Sequence, residues 1–259
     1  MRNWIVGHFP EHNVYCEPFG GGGSVLLSKP RSKREVYNDL NGEIVNVFKV
    51  MRDQYDELKR VLDLTPYARA EVILSNLPTN DAIERARRTI VRSHMSRGNS
   101  FVGSNGLRTS KKSSHSPERT WVSWLENTKQ FTDRLQGVLL ECKAAHDLIK
   151  EYDAPDVLFY LDPPYLSETR SGGTKHNYDK EMLTRDEHEK LLNKILELKA
   201  MVVISSYENP LYNDKLKSWQ KVSIQTVKQN GKMATELLYI NPTASVQSEM
   251  FLQKEWNKY

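Results

Sequence analysis

Asp162, Pro163, Pro164 and Tyr165 close the apolar run "DVLFYL" at residues 156 to 161. Their types define a chemistry. A carboxylate can only accept hydrogen bonds, a proline has no backbone N–H to donate, and consecutive prolines fix φ and hold the preceding residue extended, so the corner presents rigid acceptors beside an aromatic face. Asp-Pro is also an ordinary turn starter and proline an ordinary end to a strand. Against that plain reading stands the position: ligands of open α/β sheets bind at the carboxyl ends of the strands.

A second group of residues could meet the same ligand. Gly20 to Gly23 follow the short apolar run "NVYCE" and precede "SVLLSK", an arrangement in which bare backbone approaches a ligand with a helix N-terminus behind it. A phosphate-binding Walker loop would continue Gly-Lys-Ser/Thr, but Ser24-Val25 follow Gly23. A dinucleotide fingerprint would need a third glycine where Val25 or Leu26 stands. What remains is a nucleoside-like ligand without a pyrophosphate, and Asp39, at the end of the next strand-like run "REVYND", is placed to accept hydrogen bonds from ribose hydroxyls. The alternatives are a simple glycine turn and an aspartate that caps the following helix.

The elements that must position these residues alternate. "NVYCE" and "REVYND" read as strands and "SVLLSK" as the start of a helix. A helix is expected over 41 to 62, where Ile44, Val45, Phe48, Met51, Tyr55, Leu58 and Leu62 recur at helical spacing. The same rhythm returns with "GVLLEC", a helix near 144 to 152, "DVLFYLD", a helix opened by the capping pattern Thr184-Arg185-Asp186-Glu187, and "MVVISSY". Two strand-like runs about an Asn230-Gly231 turn end the pattern. Residues 63 to 136 break it with a basic helix near 80 to 95, a polar loop and the helix "TWVSWLENTKQFTDRL". The expected fold is an α/β core interrupted by a mainly helical insert.

Length and composition agree. A chain of 259 residues buries a sizeable core. Its mean hydropathy of -0.64, the lack of any run of about eighteen apolar residues and the lack of a long apolar N-terminal core lead us to expect neither a membrane span nor secretion, and a cytoplasmic location. Cys16 and Cys142 show no metal-ligand spacing and read as inert buried thiols, and no metal is expected. Charge is unevenly placed. From Arg85 to Arg119 nine basic residues face the single acid Glu118, a net of +8 that leaves -4 for the rest of a chain whose total is +4. The basic residues alternate with Gly, Ser and Asn, which suits a polyanion partner as well as a solvated face.

"CEPFGGGGSVLL", "VYNDLNGEIVN", "FYLDPPY", "ISSYENPLY" and "TELLYIN", in this order and with a basic insert ahead of Asp-Pro-Pro-Tyr, resemble the Dam-type DNA adenine-N6 methyltransferases of bacteria and phages. The likeness covers about residues 4 to 62 and 137 to 241. It implies a Rossmann-like methyltransferase sheet with an antiparallel last strand, a catalytic domain from 1–62 and 137–259, and a DNA-recognition insert over 63–136. It further implies S-adenosylmethionine as methyl donor and flipped adenine in double-stranded DNA as acceptor. By the same likeness Asp162, Pro163 and Tyr165 are catalytic. Phe19, Gly20, Gly22, Asp39 and Asp162 bind the donor, and the loop after "LLECKAA" flanks its adenine. Arg97 and Asn99 meet base edges, and Arg88, Arg92, Lys111 and Lys112 meet phosphates. Relatives carry a Gly-Gly-Lys segment before a helix like "WIVGHFP", inside which this sequence begins, so weakened donor binding is expected. Cytosine N4, RNA adenine, a protein glutamine, or DNA binding without catalysis are the rival readings; the aspartate of Asp-Pro-Pro-Tyr favours adenine and the basic insert disfavours a protein substrate.

Overall fold

The computed structural model describes residues 1–97, 106–111, 116–166, 184–227 and 233–245. Asn99, Lys112 and the Asn230-Gly231 turn lie outside them. Each strand forms where the apolar runs predict. β1 (Val14–Glu17) pairs in parallel with β2 (Arg34–Asn38) on one side and β4 (Val157–Leu161) on the other, and β4 pairs in parallel with β5 (Met201–Tyr207). β4 is buried at every position, as a parallel strand covered on both faces requires. β7 (Met233–Ile240) runs antiparallel to both β5 and β6 (Gln220–Val227). With β3 (Val138–Glu141) at one edge, the order among the described residues is β3-β2-β1-β4-β5-β7-β6, the expected Rossmann-like methyltransferase sheet with its reversed last strand.

The chain folds into two units. The first holds Met1–Leu40 and most of the chain from Glu141 onward; the second holds Asn41–Leu140. The boundaries expected at 63 and 136 therefore fall at 41 and 140. The reason is that α2 (Gly42–Asp53) and α3 (Tyr55–Asp63) pack with α5 (Ala82–Met95) and α6 (Pro117–Leu135) in one helical bundle that also includes α4 (Arg69–Leu74). The single helix expected over 41 to 62 is two helices, broken where Gln54 leaves helical geometry at φ -140° and ψ 42°.

In the first unit, α1 (Arg2–Val6), α7 (Ala145–Glu151), α8 (Arg185–Leu196) and α9 (Pro210–Lys215) accompany the strands. Cys16, Phe19, Phe159, Leu161, Ile204, Leu211 and Leu237 belong to one buried core. α8 opens with the predicted capping box: Thr184 and Glu187 each bond the other's backbone N–H. Two expectations change. "SVLLSK" forms turns rather than a helix, because Pro30 stops the segment before helical bonds can propagate. Cys16 is buried, but Cys142 is exposed just past the end of β3.

Candidate active site

The strand order reverses between β1 and β4: β2 and β3 lie beyond β1, and β5, β7 and β6 beyond β4. At such a switch point the loops leaving two adjacent parallel strands diverge and open a crevice. The loop leaving β1 carries Phe19 to Gly23, and the one leaving β4 carries Asp162 to Tyr165. Cys16 stands beside Phe159 in the register of the two strands, and counting on from that pair brings Phe19 level with Asp162. The glycine loop and the acceptor corner thus share one edge of the sheet, which local sequence could not establish.

The glycine loop is held from beneath by β2. The Tyr37 hydroxyl donates to the Gly21 carbonyl at 2.5 Å, while the Gly21 N–H donates to Asp39 Oδ2 at 2.8 Å. One residue is gripped at both its N–H and its carbonyl. Gly21 sits at φ +49°, where a side chain is strained. Asn38, buried, donates to the Pro18 and Lys143 carbonyls at 2.9 and 3.0 Å and accepts from the Lys143 N–H at 3.0 Å. It ties the root of the glycine loop to the loop after β3, the one expected beside the donor's adenine.

A Cβ added to Gly20 would lie 2.1 Å from the Tyr37 ring, whereas one added to Gly21 or Gly22 would meet nothing within 4 Å. Open space therefore borders bare backbone next to the Asp39 carboxylate, which fits the nucleoside and amino-acid portions of S-adenosylmethionine. The two glycines separate in behaviour. Gly20→Ala is expected to cost about 1–3 kcal/mol of stability, because the fully buried Tyr37 ring has nowhere to move. Gly22→Ala is expected to leave stability within about 0.5 kcal/mol and to weaken S-adenosylmethionine binding. Thermal unfolding and titration calorimetry check both; undiminished donor affinity in Gly22→Ala would remove Gly22 from the site.

The acceptor corner is built by β4 and β5. Leu161 pairs with Ile204, so the next residues, Asp162 and Ser205, stand side by side, and Ser205 Oγ donates to Asp162 Oδ1 at 2.7 Å. Pro163 and Pro164 are buried, while Asp162 itself is open to solvent. Its carboxylate is nevertheless walled by protein on its other sides. That enclosure raises its pKa, while the hydrogen bond from Ser205 and the nearby Tyr165 hydroxyl oppose the rise. A carboxylate exposed on one face and fixed on another is what an acceptor for an incoming N–H needs.

Four polar residues that the sequence pattern did not single out crowd this corner. Glu17 accepts from the Tyr15 hydroxyl at 2.8 Å and the Leu26 N–H at 3.1 Å, and burial lifts its carboxyl to about 8. Ser205, Tyr207 and Glu236 line the β5–β7 side. Their only signal in the sequence is polarity inside apolar runs, "VYCEPF", "MVVISSY" and "TELLYI". Lys29 is buried and engaged by the Pro30 carbonyl, Ser32 Oγ and Glu35 Oε1 at 2.7, 2.8 and 2.8 Å, so it is committed away from the donor.

The residues expected on DNA lie in the second unit. Arg97 and Lys111 are exposed. Arg88, its side chain 13% exposed, is bonded to Glu84 and to the Leu77 carbonyl, both at 2.7 Å. Arg92 donates to the Ser75 carbonyl and to Thr89 Oγ1. Much of the +8 run is met by acids outside it, since Arg85 pairs with Glu43, Arg87 with Glu71 and Glu84, and Arg88 with Glu84. Among the described residues no group of three or more His, Cys, Asp and Glu could hold a metal, and no helix is long and apolar enough to cross a membrane.

Comparison with known proteins agrees with this geometry. Residues 1–233 match the family described as D12 class N6 adenine-specific DNA methyltransferase. A DNA adenine methylase of Salmonella typhi is 26% identical over 220 residues, covering 80% of this chain and 76% of that protein. The type II methyltransferase M1.LlaDCHI of Lactococcus lactis subsp. cremoris is 25% identical over 246 residues, covering 85% and 81%. Of solved structures, an rRNA methylase from Streptococcus thermophilus is similar at a TM-score of 0.33 and 10% identity, over 93% of this chain and 92% of that one, too distant to bear on function. An acceptor corner and a glycine loop at one switch point, in a chain that matches the family along nine-tenths of its length, lead to one conclusion: this protein belongs to the D12 class of N6 adenine-specific DNA methyltransferases and takes its methyl group from S-adenosylmethionine.

Proposed function

We propose that Asp162 and the main-chain carbonyl of Pro163 accept the two N6 hydrogens of an adenine turned out of double-stranded DNA, with Tyr165 stacked on the base. The observation that carries this reading is the placement of Asp162: open to solvent, fixed by Ser205, and level with the glycine loop across β1 and β4. The exocyclic amine is a poor nucleophile because its lone pair is delocalised into the ring. Two fixed acceptors favour a pyramidal nitrogen whose lone pair is localised, and prolines aim the carbonyl before the base arrives, so little reorganisation is needed at the moment of reaction. S-adenosylmethionine, when bound, supplies an electrophilic methyl on a sulfonium. Phe19, Gly20, Gly22 and Asp39 hold it in this reading, and holding amine and methyl in line supplies much of the remaining rate. Asp162 acts first as a hydrogen-bond acceptor and then takes the proton that the methylated nitrogen releases. Tyr165 offers the aromatic face that a base removed from the duplex stack requires.

The second unit, in the same reading, meets the duplex and makes methylation site-specific. Lys111, exposed, carries a phosphate contact and Arg97, exposed, a base-edge contact, whereas Arg88 serves the unit's own structure. Lys111→Ala is then expected to weaken binding to all duplexes and to flatten the plot of log affinity against log salt by about one unit. Arg88→Ala is expected to leave that slope unchanged and to lower the melting temperature. Fluorescence anisotropy from about 50 to 200 mM salt separates them, and equal slopes for the parent and Lys111→Ala would remove Lys111 from the interface. The experiment that tests the whole reading is digestion of methylated DNA to nucleosides with mapping of the modified positions; N6-methyladenine at a single sequence context is the expected product, and modified cytosine would refute it.

A further inference from the structure

Tyr165 is held by more than its place in the acceptor corner. Its hydroxyl donates to Glu236 Oε2 at 3.2 Å, and its ring lies against that of Tyr207, with centroids 4.5 Å apart and planes inclined by 47°. Burial and the same carboxylate together raise the pKa of Tyr207. Tyr207 and Glu236 are directly paired across β5 and β7, so their side chains rise from one face of the sheet, the face that also bears Ser205.

The reversed last strand makes this possible. A parallel strand in that place would bring its C-terminal end to the catalytic edge. β7 runs the other way and delivers Glu236, from its first half, beside the end of β5. Glu236 is 8% exposed, and a carboxylate placed that deep needs hydrogen-bond donors around it.

The charge of Asp162 also acts on the Tyr165 hydroxyl, while the hydroxyl's hydrogen bond goes to Glu236. One phenolic hydrogen stands between two carboxylates and can serve only one of them well at a time. Given to Asp162, it occupies an acceptor that the adenine amine needs. Given to Glu236, it leaves that acceptor to the amine and pins the ring at its far end, so that the face offered to the base does not rock.

We propose that Glu236, supported by Tyr207, is a positioning residue for methyl transfer: it draws the Tyr165 hydroxyl away from Asp162 and fixes the ring as the platform for the target adenine. The proposal rests on the catalytic roles of Asp162 and Tyr165 in the proposed function. It differs from a general packing role in a specific way, because the loss on removing Glu236 acts through the hydroxyl of Tyr165 and disappears when that hydroxyl is absent.

A double-mutant cycle tests it. Single-turnover methyl transfer to duplex DNA is measured for the parent, Glu236→Ala, Glu236→Gln, Tyr165→Phe and the Tyr165→Phe/Glu236→Ala double variant, together with S-adenosylmethionine affinity and thermal unfolding. Glu236→Ala is expected to slow the step by about ten- to a hundredfold, the worth of a hydrogen bond to a charged group, with donor affinity unchanged within about twofold. Relative to Tyr165→Phe alone, the same alanine is expected to cost less than about threefold. Glu236→Gln, which keeps an acceptor of the same shape, is expected to recover most of the parent rate. Equal losses in the two backgrounds, or a loss in Glu236→Ala that Glu236→Gln shares in full, would overturn the proposal while leaving the catalytic assignment intact. A parent without methyl transfer to adenine would overturn both.

Discussion

Asp162→Ala is expected to slow methyl transfer by about a hundred- to a thousandfold, the usual loss when one preorganised hydrogen-bonding group that meets developing charge is removed. The effect should fall on the chemical step. The glycine loop is braced by Tyr37, Asp39 and Asn38, none of which depends on the aspartate, so donor affinity should fall only by what the carboxylate's own contact with the donor supplies, far less than the rate. DNA contacts assigned to Arg97 and Lys111 lie in the other unit and should persist. Asp162→Asn makes the comparison sharper. It keeps one acceptor oxygen but replaces the other with a donor that opposes the incoming N–H and cannot take a proton, so it should stay within about tenfold of the alanine variant rather than approach the parent. Single-turnover rates with labelled donor, beside anisotropy for DNA binding, decide the matter. An alanine variant that keeps more than a tenth of the parent rate would show that the Pro163 carbonyl and alignment suffice, and Asp162 would lose its role.

The second large effect concerns stability rather than rate. Glu17 is 3% exposed, and burial, opposed by the Tyr15 hydrogen bond and reinforced by the nearby Asp162 charge, raises its carboxyl from the ordinary 4.5 to about 8. Between those values the folded protein keeps a proton that the unfolded chain has released. Stability therefore declines as pH rises through that window and levels off above it. The size is on the order of 4 kcal/mol, given about 1.4 kcal/mol for each tenfold change in proton affinity. Glu17→Gln cannot ionise, and its carbonyl still accepts from Tyr15 and Leu26. Urea unfolding should find parent and variant alike near pH 5 and the variant more stable by a few kcal/mol near pH 9. Parallel curves across that range would show that Glu17 is ionised in the fold.

Much of the fold was legible because the strands of this sheet are short apolar runs with clear punctuation. "DVLFYLD" could only be a buried strand ended by its prolines, and the Thr184–Glu187 box announced α8 because both halves of a reciprocal cap lie within four residues. Failures occurred where distant residues decided the outcome. "SVLLSK" has helical composition, but Pro30 and the return to β2 leave no room for propagation. Residues 41 to 62 read as belonging with the strands before them, yet their apolar face is met by α5 and α6, partners whose identity no local period reveals.

The site divides along the same line. Residue types and spacing alone set out Asp162, the prolines and Tyr165 as rigid acceptors beside an aromatic face, and Gly20 to Gly23 with Asp39 as a candidate place for a nucleoside without a pyrophosphate, because those properties are carried by covalent geometry and by which groups donate or accept. Only the tertiary structure decided that Ser205 would steady Asp162, that Glu17 would be buried near it with its carboxyl pushed up, and that Glu236 would reach Tyr165 from some seventy residues away. It likewise decided that Arg88 would be consumed by its own unit. Strand order, register and the reversed direction of β7 set these contacts, and pairings between residues far apart in the chain leave no trace in local pattern beyond a polar side chain where an apolar one was expected.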